Sequence, residues 1–149
     1  MKNFSKVIGI IVGGIILVVG AVFAAIGWVF KTIGNLIWFI VTGAVTALGW
    51  IMLGVTWCIS IIGIPFGIQC FKFALLSALP FGKEVKTNFG AHPIANVIWI
   101  IACGFILALI YFIMGIIWSV TIIGLPFGKQ CFKLAKLALR PFGAEVTKA

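Results

Sequence analysis

Long uncharged apolar stretches alternate with short polar ones along this chain, and their lengths predict its elements. After a basic start from Met1 to Lys6, no charge occurs from Val7 to Phe30, a run of 24 residues. About twenty residues suffice to cross a bilayer core as a helix. A cleaved leader would have a shorter apolar region and a small-residue cleavage site. The run therefore predicts a retained N-terminal anchor, residues 1–34, in which Gly9 and Gly13 lie one helical turn apart and permit close helix packing. Lys31 to Asn35 is a brief interruption. From Leu36 to Phe71 there is again no charge over 36 residues. A straight helix of that length would run about 54 Å, well beyond a hydrocarbon core of roughly 30 Å. The stretch must tilt, bend or turn back, and its predicted break is Gly63-Ile64-Pro65-Phe66-Gly67.

A polar region from Ser77 to His92 reads as an aqueous loop. Val97 to Gly128 is the next uncharged run, 32 residues long, and carries a matching break, Gly124-Leu125-Pro126-Phe127-Gly128. The tail adds Lys129, Lys133, Lys136, Arg140 and Lys148.

These stretches are copies of one another. Asn35–Val85 aligned on Asn96–Val146 gives 26 identities in 51 positions without a gap. Asn35, Trp38, Gly54 and Trp57 match Asn96, Trp99, Gly115 and Trp118, and IIGIPFGIQCFK matches IIGLPFGKQCFK. Chance agreement in apolar sequence does not align Trp, Pro, Gln and Glu. The expected fold is therefore all-α: a polytopic helical membrane protein with two tandem repeats, residues 35–86 and 96–147, joined by a polar linker, 87–95. Duplication of this kind occurs in parallel and inverted forms, so it predicts architecture rather than transport.

Lys129, Lys133, Lys136 and Arg140 recur at helical spacing and form one stripe. That pattern predicts a basic amphipathic helix on the membrane surface, with the stripe at the lipid headgroups. Two topologies follow. Each unit is either one span, a break and a surface helix, or a stretch that turns back inside or across the membrane. The first puts the two basic regions on opposite faces, against the positive-inside tendency. The second lets both lie in the cytoplasm and is preferred, provided its non-helical turn is covered.

Composition sharpens this picture. Hydrophobic residues make up 64% of the chain and Asp, Glu, Lys and Arg 9%, against roughly a quarter charged in soluble domains. The formal charge of +9 sits between apolar stretches, so anionic lipid accounts for it better than nucleic acid does. Cys58, Cys70, Cys103 and Cys131 form no C-x-x-C pair and read as buried thiols. No metal site, cofactor motif or nucleophile–base set is identifiable, and no enzymatic activity is expected.

Trp28, Trp38, Trp57, Trp99 and Trp118 read as interfacial anchors, and Trp50 and Tyr111 as packing residues. Asn35 and Asn96 precede apolar helices and read as caps. Gln69 and Gln130 follow the breaks and read as bridges to exposed backbone. Lys72 and Lys133 read as snorkelling to headgroups. The sharper alternative makes Asn35, Gln69, Lys72, Asn96, Gln130 and Lys133 a polar pathway.

At the repeated IIG[IL]PFGxQCFK and N-x-I-W signatures, over Asn35 to Val146, the chain resembles the YccF domain family of bacterial inner-membrane proteins. The resemblance implies a small multi-pass protein of the cytoplasmic membrane. It marks Asn35, Trp38, Gly63, Pro65, Phe66, Gly67 and Lys72, with their partners Asn96, Trp99, Gly124, Pro126, Phe127, Gly128 and Lys133, as signature residues. It assigns none of them a catalytic role. The expected function is that of a structural or accessory membrane component, partnered by lipids and by further copies of itself. The alternative is an oligomeric channel or small-solute transporter for inorganic ions, favouring anions.

Overall fold

A computed structural model describes residues 2–148. The chain divides into two compact units, one ending at Gly34 and the other beginning at Asn35. The first is a single helix, α1 (Lys2–Trp38), whose last four residues belong to the second unit. The polar interruption at Lys31–Asn35 marks the division between the units but does not break the helix. A charge interrupts hydropathy but not helicity, and Thr32 Oγ1 donates back to Trp28 O at 2.9 Å within the continuous helix.

In the second unit the chain passes from Trp38 through a π-helical turn, Phe39–Gly43, into α2 (Ala44–Ile59). It reverses over Ser60 and a 3-10 turn, Ile61–Gly63, and returns as α3 (Ile64–Ala78). The same sequence of elements follows as α4 (Pro93–Trp99), a π-helical turn at Ile100–Gly104, α5 (Phe105–Ser119), a tight reversal and α6 (Leu125–Leu139). Each long apolar stretch thus turns back on itself as an antiparallel helical hairpin. Pro65 and Pro126 sit in the first turn of the returning helices, where a missing N–H leaves no intrahelical bond unmade. The proline starts the second arm; the reversal precedes it.

Small residues let the arms close. A Cβ at Gly67 would lie 2.8 Å from Gly54 O, and one at Gly128 would lie 2.9 Å from Gly115 O. The reversals carry no charge and are capped from within. Ser60 Oγ accepts from Gly63 N at 3.2 Å and donates to Trp57 O, and Thr121 Oγ1 does the same for Gly124 N and Trp118 O. Polar backbone at the tips therefore has protein partners, as hydrocarbon demands.

The all-α expectation fails at one place. Pro80-Phe81-Gly82 and Pro141-Phe142-Gly143 turn the chain through glycines at φ 78° and 80°. The segments that follow, β1 (Lys83–Lys86) and β2 (Glu145–Lys148), pair antiparallel with Val85 opposite Val146. Each is four residues long and shows no strand pattern of its own. Their ladder bonds form only where the two meet.

The surface-helix expectation for Phe127–Arg140 is also overturned. α6 packs along α5 as the returning arm, burying Cys131, Leu134, Leu137 and Ala138. A helical wheel shows that a face is apolar; it does not distinguish a lipid surface from a neighbouring helix.

Candidate functional site

Several polar side chains of the second unit fasten the ribbon end of the hairpins. Asn35 and Asn96 cap no helix. Each lies within one, α1 or α4, and reaches across to a Pro-Phe-Gly turn. Asn96 Nδ2 donates to Phe142 O at 3.0 Å while Phe142 N donates to Asn96 Oδ1 at 3.1 Å. Asn35 clasps Phe81 in the same two-way fashion at 3.1 and 2.9 Å. An amide is the one neutral side chain that offers a donor and an acceptor side by side, matching the N–H and C=O of a single residue.

One turn on, Trp38 Nε1 donates to Ser77 O at 2.7 Å and Trp99 Nε1 to Ala138 O at 2.8 Å. Both rings have no exposed surface. They are core residues, not interfacial anchors, because an indole that can bond a neighbouring helix no longer needs the wet boundary. Gly43 and Gly104, at the ends of the π turns, make room for them. A Cβ there would lie 2.8 Å and 2.5 Å from the respective indole.

The two hairpins interlock through aromatics. Phe66 of the first break stacks on Trp99, with ring centroids 6.1 Å apart, and Phe127 of the second stacks on Trp38 at 6.0 Å. Each also meets the Phe of the opposite turn edge-on, Phe66 with Phe142 and Phe127 with Phe81. Between them Trp50 Nε1 donates to Tyr111 Oη at 2.6 Å, joining residues 61 positions apart. Trp50 stacks on Phe73 at 4.2 Å, and Ser77 Oγ donates to Thr46 Oγ1 at 2.6 Å beside this pair. Both Trp50 and Tyr111 are buried packing residues, as the pattern predicts.

Lys133 departs from the expected lipid-facing stripe. Its ammonium turns inward and donates to Pro80 O at 2.5 Å and Lys83 O at 2.8 Å, fastening the second hairpin to the first turn. Lys129, Lys136 and Arg140 are exposed, and the Arg140 guanidinium lies 5.9 Å from the Phe89 ring centre. Lys72, at the position matching Lys133, is exposed and has no bonded partner among the described residues. Gln69 and Gln130 do not bridge the breaks: Gln69 Oε1, Gln130 Oε1 and Trp57 Nε1 are buried without a protein partner. The structure therefore uses Asn35 and Lys133 to fasten the first Pro-Phe-Gly turn and Asn96 to fasten the second, and gives Lys72 no such part. Among the described residues no group of His, Cys, Asp and Glu is placed to hold a metal ion.

Sequence reading missed Ser60 and Thr121 as turn caps. Their signal was visible: a hydroxyl residue just before a helix whose first turn holds proline. It also missed a stripe on α1, where Gly13, Gly20, Gly27 and Gly34 recur every seven residues. A spacing of seven is two helical turns, so the four share a face with Gly9. Within this unit nothing lies within 4 Å of the places where side chains at Gly9, Gly13, Gly20 and Gly27 would stand.

A family described as an inner membrane component domain, YccF, matches residues 33–83 and again 94–144. The chain is 31% identical over 128 residues to the inner membrane protein YccF of Escherichia coli strain K12, covering 77% of this chain and 86% of the relative. The Shigella flexneri protein of the same name matches to the same extent. No solved structure matches.

Proposed function

Because the chain belongs to the YccF family of inner-membrane component domains and is a multi-pass protein of the bacterial cytoplasmic membrane, we propose that it is a structural or accessory component of that membrane. In this reading it is built from two tandem copies of one broken-helix unit and assembled into a homo-oligomer. The copies face each other across an approximate twofold axis. Corresponding residues Trp50 and Tyr111 touch, Val85 pairs with Val146, and the Phe66–Trp99 and Phe127–Trp38 stacks are reciprocal.

The observation that carries the scaffold reading is where the polar groups go. Asn35, Asn96, Trp38, Trp99 and Lys133 all fasten backbone within the unit. The homo-oligomer is supported by the α1 glycine face, since close backbone approach along small residues is how helices associate in lipid.

The competing reading, an oligomeric channel or small-solute transporter, has one observation on its side: the buried, unpartnered oxygens of Gln69 and Gln130. Those atoms are acceptors and suit a cation. The anion preference rests on the basic stripe Lys129, Lys133, Lys136 and Arg140, of which Lys133 is already engaged by carbonyls.

One purified preparation separates the readings. Light scattering in detergent is expected to give a protein mass several times the 16.0 kDa of one chain. The double substitution Gly20→Leu, Gly27→Leu is expected to reduce that mass to one chain while leaving helicity unchanged. Liposomes holding the intact oligomer are expected to leak chloride and potassium no faster than empty ones. A monomeric wild-type protein removes the oligomer, an unchanged mass in the double variant removes the α1 glycine face as its contact, and flux above background favours the channel.

A further inference from the structure

At the ribbon end of the first hairpin, Lys72 from α3, Lys83 from β1 and Lys148 from β2 line one open pocket of about 650 Å³. Glu145 is the single acid in its wall, so the lining carries two net positive charges. The floor is apolar, formed chiefly by Leu75, Leu76 and Val146. Lys83 donates to Leu75 O at 3.3 Å, and burial lowers its pKa from the ordinary lysine value. An anion seated here would offset that desolvation.

The pocket does not end at its floor. Leu75 also borders an apolar groove of about 540 Å³ between α2 and α3, with Ala44, Leu48, Ile51 and Phe71 along it. From Ala78 to Phe71 the groove follows α3 for roughly 10 Å, leading from the basic pocket toward the tip of the hairpin. The second hairpin repeats the arrangement with different residues. Lys136, at the position matching Leu75, borders both an apolar groove of about 440 Å³ between α5 and α6 and a pocket of about 310 Å³ that it shares with Arg140. A cationic pocket adjoining an apolar groove matches one kind of molecule: an anion with a hydrocarbon tail.

We propose that each hairpin seats one anionic phospholipid, its phosphate among Lys72, Lys83 and Lys148 in the first hairpin and beside Lys136 and Arg140 in the second, with an acyl chain in the adjoining groove. The ribbon then marks the headgroup level of the leaflet. The two seats differ because the Lys133 ammonium is engaged by Pro80 O and Lys83 O, whereas its counterpart Lys72 is exposed and open to a ligand. The proposal requires only that the hairpins lie in a bilayer and does not depend on oligomerisation.

The test is native mass spectrometry of the full chain, released from micelles holding equal amounts of phosphatidylglycerol and phosphatidylcholine. Two phosphatidylglycerol molecules per chain are expected to survive, in preference to phosphatidylcholine. Changing Lys72, Lys83 and Lys148 together to glutamine is expected to remove one of them, with affinity falling about fivefold per charge removed. Lys136→Gln with Arg140→Gln is expected to remove the other. Ala44→Trp, which fills the first groove and leaves its lysines in place, is expected to weaken the first seat as well. Circular dichroism checks that each variant remains folded. Inorganic phosphate in large excess is expected not to displace the lipid, since it lacks the chain. Equal retention of the two lipids, unchanged retention in the folded triple variant, or displacement by free phosphate overturns the proposal.

Discussion

Gly124→Ala is expected to cost about 3 kcal/mol, the upper range for forcing atoms into a packed site, and to deprive the second hairpin of its reversal. The added methyl would stand 2.1 Å from Trp118 O, 2.5 Å from Thr121 Oγ1 and 3.0 Å from Trp118 C. Two of these atoms are backbone, so a rotamer change cannot relieve the contact. The third is the hydroxyl that caps Gly124 N. The methyl therefore clashes and also disturbs the cap that keeps the tip's amide bonded. Gly63→Ala meets the same surroundings, with Trp57 O at 2.1 Å, and is expected to have a similar effect. Gly49→Ala provides the control. Nothing lies within 4 Å of its added methyl, in the middle of α2, and a helical glycine replaced by alanine is worth roughly 0.5–1 kcal/mol in favour of the helix. Unfolding by sodium dodecyl sulfate in mixed micelles, followed by tryptophan fluorescence, reads all three. A Gly124→Ala protein as stable as the Gly49→Ala protein would show that the reversal is not built as described.

Asn96→Ala is expected to lose about 2–3 kcal/mol, the penalty for leaving buried donor and acceptor groups unsatisfied. Both atoms of the Asn96 amide are bonded to Phe142, and the residue has no exposed surface. Water cannot enter to replace the lost partners without opening the turn. Asn35→Ala removes the same two bonds, but from a partly exposed site. Its loss is expected to be about 1 kcal/mol, because solvent replaces what is removed. Asn96→Asp isolates the donor. The carboxylate can still accept from Phe142 N but offers nothing to Phe142 O, and it adds a buried charge. The expected order of stability is wild type, Asn35→Ala, Asn96→Ala, Asn96→Asp, read by the same titration. Equal effects of the two alanine substitutions would contradict the burial difference between the two clasps.

The reversals were legible because glycine and proline have few alternative uses inside an apolar run, and their duplication ruled out accident. What each side chain touches was not legible. Trp38 and Trp99 carry the composition of interfacial residues, and only the position of a second helix reveals the carbonyl each indole bonds. Asn35 and Asn96 precede apolar helices as caps do, yet their partners lie 46 residues further along the chain. Lys133 fits the helical stripe by spacing. Its inward turn depends on Pro80 and Lys83 of the other hairpin. The ribbon left no local trace, since β1 and β2 are strands only through their pairing with each other and neither sequence alternates apolar with polar residues. In each case the periodicity of one segment is visible in sequence, and the meeting of two distant segments is not.

The central claim is that both long stretches double back, so that the segments following them lie together on one face of the membrane. Impermeant maleimide labelling of Lys86→Cys and Lys148→Cys, each in a background with the four native cysteines changed to alanine, tests it most directly. Membrane vesicles of both orientations supply the two sides. Both positions should label from the same side, the cytoplasmic one given the excess of lysine there. Labelling of the two from opposite sides would contradict the account.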